Sequence, residues 1–185
     1  MALQLLITLR EVSPSVWRKI IVPDNYSFYQ LHDVLQQCFG WKDSHLFQFS
    51  ENDIMDEIFI GIPDEEADQM DAIDARTKSI SGIFRAPGDC YTYIYDFGDT
   101  WEHDIVLEQI LPDKIEGPYC TGGAGACPPE DVGGVRGYQQ MNDIFESEDQ
   151  EEIQSYREWL GIAPNEKWNP DYCNISEINN RLLLL

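Results

Sequence analysis

Positive charge is the scarcest commodity in this chain. Twelve lysines and arginines face 34 aspartates and glutamates, for a formal net charge of −22. A surface with that average repels phosphate backbones and anionic lipid, which argues against direct contact with nucleic acid. No basic helix-turn-helix stands out either. Long apolar runs are missing too: nothing approaches the ~20 residues of a membrane-spanning helix, and the terminal LLLL is short and follows a polar run. The opening MALQLLITLREV has no basic region or apolar block of a signal peptide and alternates instead. Five cysteines, an odd number without a secretory signal, imply reduced thiols in a cytoplasm, with Cys38 and Cys90 buried as small hydrophobes. GxSxG and HExxH do not occur. The glycines at 122–125 lack the preceding strand and following Lys-Ser or Lys-Thr of a phosphate-binding loop.

What is present is periodicity. Leu3, Leu5, Ile7 and Leu9 alternate with mostly polar neighbours, and Ser13-Pro14-Ser15 turns the chain into a second strand over 16–22. Arg18 falls in line with Val16, Ile20 and Val22 on the inner face, where it wants a carboxylate or an anion. Ser27 and Gln30 make a capping box, and Phe28, Leu31, Val34, Leu35, Cys38 and Phe39 keep helical spacing up to Gly40. His32 falls off that stripe, towards solvent. A third strand is expected over 44–50, with His45, Phe47 and Phe49 on one side. Residues 51–74 hold ten acids and no base, which reads as a flexible acidic loop with a short edge strand near 55–62. Residues 112–129 read as a Gly/Pro loop. From about 133, three amphipathic helices follow, the last carrying leucines onto the core.

The chain is organised around YTYIYDFGDTWEHDIV, residues 91–106. Gly98-Asp99 between two alternating runs predicts a two-residue hairpin turn with Gly98 at φ > 0. That register pairs Asp96 with Trp101 and Ile94 with His103. It puts Ile94, Asp96, Trp101, His103 and Ile105 on one face and brings Asp96 diagonally against the His103 imidazole.

Read together, PSVWRKI, LHDVLQQCFGW, DSHLFQF, YIYDFGDTWEHDIVLE and the ACPPEDVGG run resemble the plasmid pRiA4b third-open-reading-frame family over nearly the whole chain. The resemblance implies a compact α+β domain and no assigned activity. Some members carry a mobile-element or resolvase-like name, for which no catalytic equipment is visible here. Many members read HLH where this chain has His45-Leu46-Phe47, a departure that removes one potential metal ligand.

The expected architecture is therefore a single α+β domain over 1–185. A mainly antiparallel sheet of about five to six strands is covered by the 27–39 helix and the C-terminal helices. Three functions compete. In a binding module, the hairpin tip and the CPPED loop form a pocket for a protein or small molecule, with Trp41 and Trp101 as contact area and Arg18, His45, Asp96, Asp99, His103, Glu130 and Asp131 as polar specificity. In a structural zinc site, His103, Cys120 and Cys127 serve as ligands, with His45, Glu130 or Asp131 completing four. The six residues between the cysteines exceed the usual knuckle spacing. In a hydrolase, Asp96 orients His103 as general base, with Cys127 or water as nucleophile.

Overall fold

The computed structural model describes residues 1–55, 58–63, 72–163 and 166–185. Its scaffold is one eight-stranded sheet, wider than the sequence suggested. The strands are β1 (Ala2–Leu9), β2 (Trp17–Pro23), β3 (Phe47–Ser50), β4 (Ile60–Gly61), β5 (Ile73–Asp74), β6 (Cys90–Tyr95), β7 (Trp101–Leu111) and β8 (Tyr119–Ala124). They run in the order β5-β4-β3-β6-β7-β1-β2-β8, antiparallel at every pairing except β4 with β5. The third strand starts at Phe47, so His45 lies just ahead of it. The edge strand expected near 55–62 contracts to Ile60–Gly61. The acidic loop expected over 51–74 lies partly outside the described residues, at 56–57 and 64–71.

β8 hides in the segment that reads as loop, because Gly122 and Gly123 carry no strand preference. Its pairing with β2 makes it a strand. The outer edge is closed by a side chain: Asn179 accepts from the Cys120 amide at 2.7 Å and donates to the Cys120 carbonyl at 2.9 Å. An amide side chain there stands in for the next strand and blunts the edge.

The sheet is one-sided. Leu3, Leu5, Ile7 and Leu9 of β1 are buried on the inner face. The outer face carries Arg10 between Glu102 and Asp104, and Lys19 with Gln4 on Glu108. Alternation of this kind is what an antiparallel sheet with one wet face requires. Helix α1 (Phe28–Phe39) covers the inner face with Phe28, Leu31, Val34, Leu35, Cys38 and Phe39. Both bonds of the Ser27–Gln30 capping box form, and Gly40 closes the helix in the left-handed conformation at φ 82°. Helices α2 (Gly134–Glu146), α3 (Gln150–Leu160) and α4 (Ile175–Leu182) follow. Leu182 is buried, but Leu183, Leu184 and Leu185 are exposed, because the helix ends before they can return to its apolar stripe. Cys38 is buried as expected, whereas Cys90 begins its strand in solvent.

His32 is not a surface residue. It is fully buried, its ring stacked on Phe47 at 3.7 Å, with Nδ1 2.8 Å from the Tyr93 hydroxyl and Nε2 3.0 Å from Asp43. Phe47 widens the buried surface under α1 beyond the apolar stripe that spacing alone defines. Burial lowers the His32 pKa to about 4, so the imidazole is neutral.

The central hairpin also departs from expectation. Tyr95 pairs with Trp101, Ile94 with Glu102 and Tyr93 with His103, one residue away from the predicted register. The connection is therefore a five-residue loop, 96–100. Gly98 is not its left-handed residue; Asp96 (φ 57°) and Thr100 (φ 55°) are. The Asp96 side chain decides this: its Oδ1 accepts from the amides of Gly98 at 2.9 Å and Asp99 at 3.3 Å, and its carbonyl accepts from Thr100 N. An aspartate that folds its own backbone competes with the two-residue turn and wins. A slip of one residue changes every face assignment. Trp101, His103 and Ile105 now share the inner face with Tyr91, Tyr93 and Tyr95.

Candidate functional site

The slip separates the two groups that the hairpin was expected to pair. His103 is wholly buried, its ring set among Phe39, Trp41 and Tyr93 at centroid distances of 4.8, 5.2 and 5.3 Å. Its Nδ1 faces the Tyr93 carbonyl at 3.2 Å, and among the described residues Nε2 has no hydrogen-bond partner. Burial drives its pKa down to about 3, which keeps the ring neutral. Asp96 stands in the loop and faces another histidine, His45. The Asp96–His103 arrangement needed for a general base is not formed.

The proposed zinc set is dispersed as well. Cys120 lies in β8 with its thiol donating to the Gly122 carbonyl, and Cys127 donates to Pro128. Burial raises the Cys127 pKa, so it is a thiol rather than a nucleophilic thiolate. Among the described residues Arg18 meets no carboxylate. It is buried, and its guanidinium donates to the carbonyls of Cys38, Trp17, Ala124 and Gly125 while lying 5.3 Å from the Phe39 ring centroid. Backbone oxygens from α1's end and the 124–125 turn supply the negative charge density that sequence reasoning sought in an acid. Arg18 thus ties these segments together. Trp101 is fully buried, and Trp41 is buried with its indole donating to Pro128 O at 3.0 Å.

Four of the predicted residues do converge. His45 precedes β3, Asp96 follows β6, and Glu130 and Asp131 lie in the CPPED loop ahead of α2. His45 Nε2 is 3.2 Å from Asp131 Oδ1, 3.6 Å from Asp96 Oδ2 and 3.8 Å from Glu130 Oε2. It nonetheless makes no hydrogen bond among the described residues. The ligand atoms of His45, Asp96 and Asp131 all lie within 4.8 Å of one another. Around a tetrahedral zinc with bonds of about 2.0–2.2 Å, ligand atoms stand about 3.3–3.6 Å apart; the 3.2 and 3.6 Å from His45 Nε2 to Asp131 and Asp96 are already close to that.

Each member is held from behind. Glu130 Oε1 accepts from the Lys42 amide at 2.8 Å and the Tyr95 hydroxyl at 3.0 Å, and Tyr95 in turn accepts from Ser44 N. Asp96 is buried and fixed through Oδ1, which leaves Oδ2 facing the histidine. Asp99, the other acid of the tip, is not a ligand. Its Oδ2 accepts from Gly133 N at 3.1 Å, docking the hairpin on the loop that carries Glu130 and Asp131. Gly134 follows at φ 67°, where a Cβ would come within 2.7 Å of the Asp99 carbonyl, so the close approach requires glycine. Asp131, its side chain 73% exposed, opens the cluster to solvent.

Comparison with known proteins agrees with this frame. The family model described as plasmid pRiA4b ORF-3-like protein matches residues 1–177. The chain belongs to that family. It is 37% identical over 178 residues to the uncharacterized protein y4hQ of Sinorhizobium fredii (strain NBRC 101917 / NGR234), covering 95% of this chain and 88% of that one. A crystal structure of a protein of unknown function, MM3350 from Methanosarcina mazei Go1, superposes with a TM-score of 0.80 at 31% identity, covering 95% of this chain and 96% of the other. These similarities describe a shared family and fold, without an activity attached. No helix among the described residues is long and apolar enough to cross a membrane.

Several residues around the site escaped sequence reasoning. Tyr29, Asp43, Phe47, Phe59 and Phe97 line a cavity that His45 also borders. No periodicity marks them as a group, because they come from α1, β3 and three separate loops.

Proposed function

We propose that this protein is a binding module whose ligand at the hairpin tip is a divalent transition-metal ion held by His45, Asp96 and Asp131, with Glu130 as a fourth donor. The observation that carries the reading is the His45 Nε2 atom, set among three carboxylates from separate segments without a hydrogen bond to any of them. One imidazole nitrogen with carboxylate oxygens suits zinc or manganese better than calcium or magnesium, which favour oxygen alone. The negative surface favours cation capture. Asp131's exposure leaves room for water or a second ligand on the ion. A cytoplasmic setting fits five free thiols.

Untagged protein stripped with EDTA and titrated with zinc and manganese tests this by calorimetry and thermal melting. One ion per chain is expected, with a raised melting temperature. His45→Gln and Asp96→Asn should each weaken binding by at least about tenfold. Uptake equal to wild type in both variants would end the proposal.

A further inference from the structure

The cavity beyond His45 carries a second reading, independent of the metal. It encloses about 180 Å³, below the ~300–1,000 Å³ of sites for drug-sized ligands, so it takes a head group. Aromatic side chains from four segments line it: Tyr29 from α1, Phe47 from β3, Phe59 from the approach to β4 and Phe97 from the hairpin loop. Ile62 and Leu46 add aliphatic walls, and Asp43 brings a carboxylate to the lining beside His45 and Tyr29. An anionic ligand would find no lysine or arginine in this lining to satisfy it. A cation without N–H donors would find π faces and one negative charge.

We propose that this cavity binds a small alkylated ammonium ion, with its methyl groups against the four rings and its charge facing Asp43. Asp43 Oδ1 lies 3.0 Å from His32 Nε2, which leaves its other carboxylate oxygen for a ligand. Arg76, whose charge reaches Tyr29, is engaged with Asp74 through three hydrogen bonds of 2.8–3.1 Å. A trimethylammonium group is weakly hydrated, and its desolvation in an aromatic box is correspondingly cheap. The same chemistry occurs in free choline-type molecules and in trimethylated lysine side chains.

Full-length protein in EDTA, titrated by NMR with choline and with its neutral isostere 3,3-dimethylbutan-1-ol, separates charge recognition from simple apolar filling. Choline should bind at least about tenfold tighter than the isostere. Phe97→Leu and Asp43→Asn should each lower choline affinity, and Asp43→Asn should leave the isostere's affinity unchanged. Equal affinity for the two molecules, no saturable choline or N-acetyl-trimethyllysine amide binding, or choline affinity unchanged in both variants would overturn the proposal. The tighter of the two ammonium probes identifies the source, free molecule or protein side chain. Because EDTA is present throughout, failure here leaves the metal reading untouched, and failure of the metal titration leaves this one.

Discussion

The inner face of the central hairpin and its tip are built from the same kinds of residue, and they are put to opposite uses. On the face, His103 and Trp101 are sealed against Phe39, Trp41, Tyr93 and Tyr95, with no water-exposed surface. At the tip, His45 and Asp131 stand among carboxylates at the solvent boundary. A histidine's role here follows from what lies within 4 Å of its nitrogens. Rings and a carbonyl make His103 part of the core, whereas three acids make His45 a candidate ligand.

The sharpest test of that contrast is stability. Trp101→Ala empties a fully buried site and should cost about 3–5 kcal/mol in urea unfolding. Its indole N–H has no partner among the described residues, so the loss is one of packing alone. Asp131→Ala at the rim should stay within about 0.5 kcal/mol. Comparable losses in the two variants would mean that the rim is structural, as the face is.

Acid titration is the next largest effect. His32 and His103 have folded pKa values near 4 and 3, below the ordinary 6.5, so the unfolded chain binds protons that the folded one refuses. Stability therefore falls as pH drops below 6.5, by up to about 1.4 kcal/mol per pH unit for each histidine, until the folded pKa values are passed. Asp33 opposes this: with a folded pKa raised to about 6 by burial and by Asp43, it takes up protons in the folded state and gains stability as pH falls through 6 towards 3.8. His103→Leu should remove one histidine's share of the slope between pH 4 and 6.5, as read from urea midpoints at each pH. An unchanged slope would show that His103 is not sealed.

The hairpin explains how much could be read in advance. The strands of residues 90–106, the capped α1 and the sheet's antiparallel character follow from alternation, capping chemistry and a glycine stop, all of which are local. The register did not, because it depended on whether Gly98 or the Asp96 side chain organises the turn. Two amide bonds to one carboxylate oxygen settled it. His32 was misplaced for a related reason: spacing shows which helix face is apolar but not that Phe47 rises to cover the neighbouring position. Arg18's environment was unreadable because its partners are backbone carbonyls, which every residue has. The acids and His45 at the tip were individually visible. Their convergence needed Asp99 to dock on Gly133, a contact across 34 residues of sequence.

Asp131 offers the smallest and most discriminating change. Its backbone sits at φ 58°, a region that asparagine tolerates at least as well as aspartate, and its carboxylate is packed near those of Asp96 and Glu130. Asp131→Asn keeps the backbone preference and the shape, and removes one negative charge from a crowded rim. In metal-free protein the substitution should therefore be neutral or stabilising by a few tenths of a kcal/mol. The same change should weaken zinc affinity by about tenfold or more, since a carboxylate ligand is replaced by a neutral amide. A residue that serves only the fold would show the reverse, with lost stability and unchanged affinity. The sign of the two effects together, read from melting temperature without metal and from the zinc isotherm, decides whether the tip is a rim built to hold a cation or an ion pair that completes the hairpin.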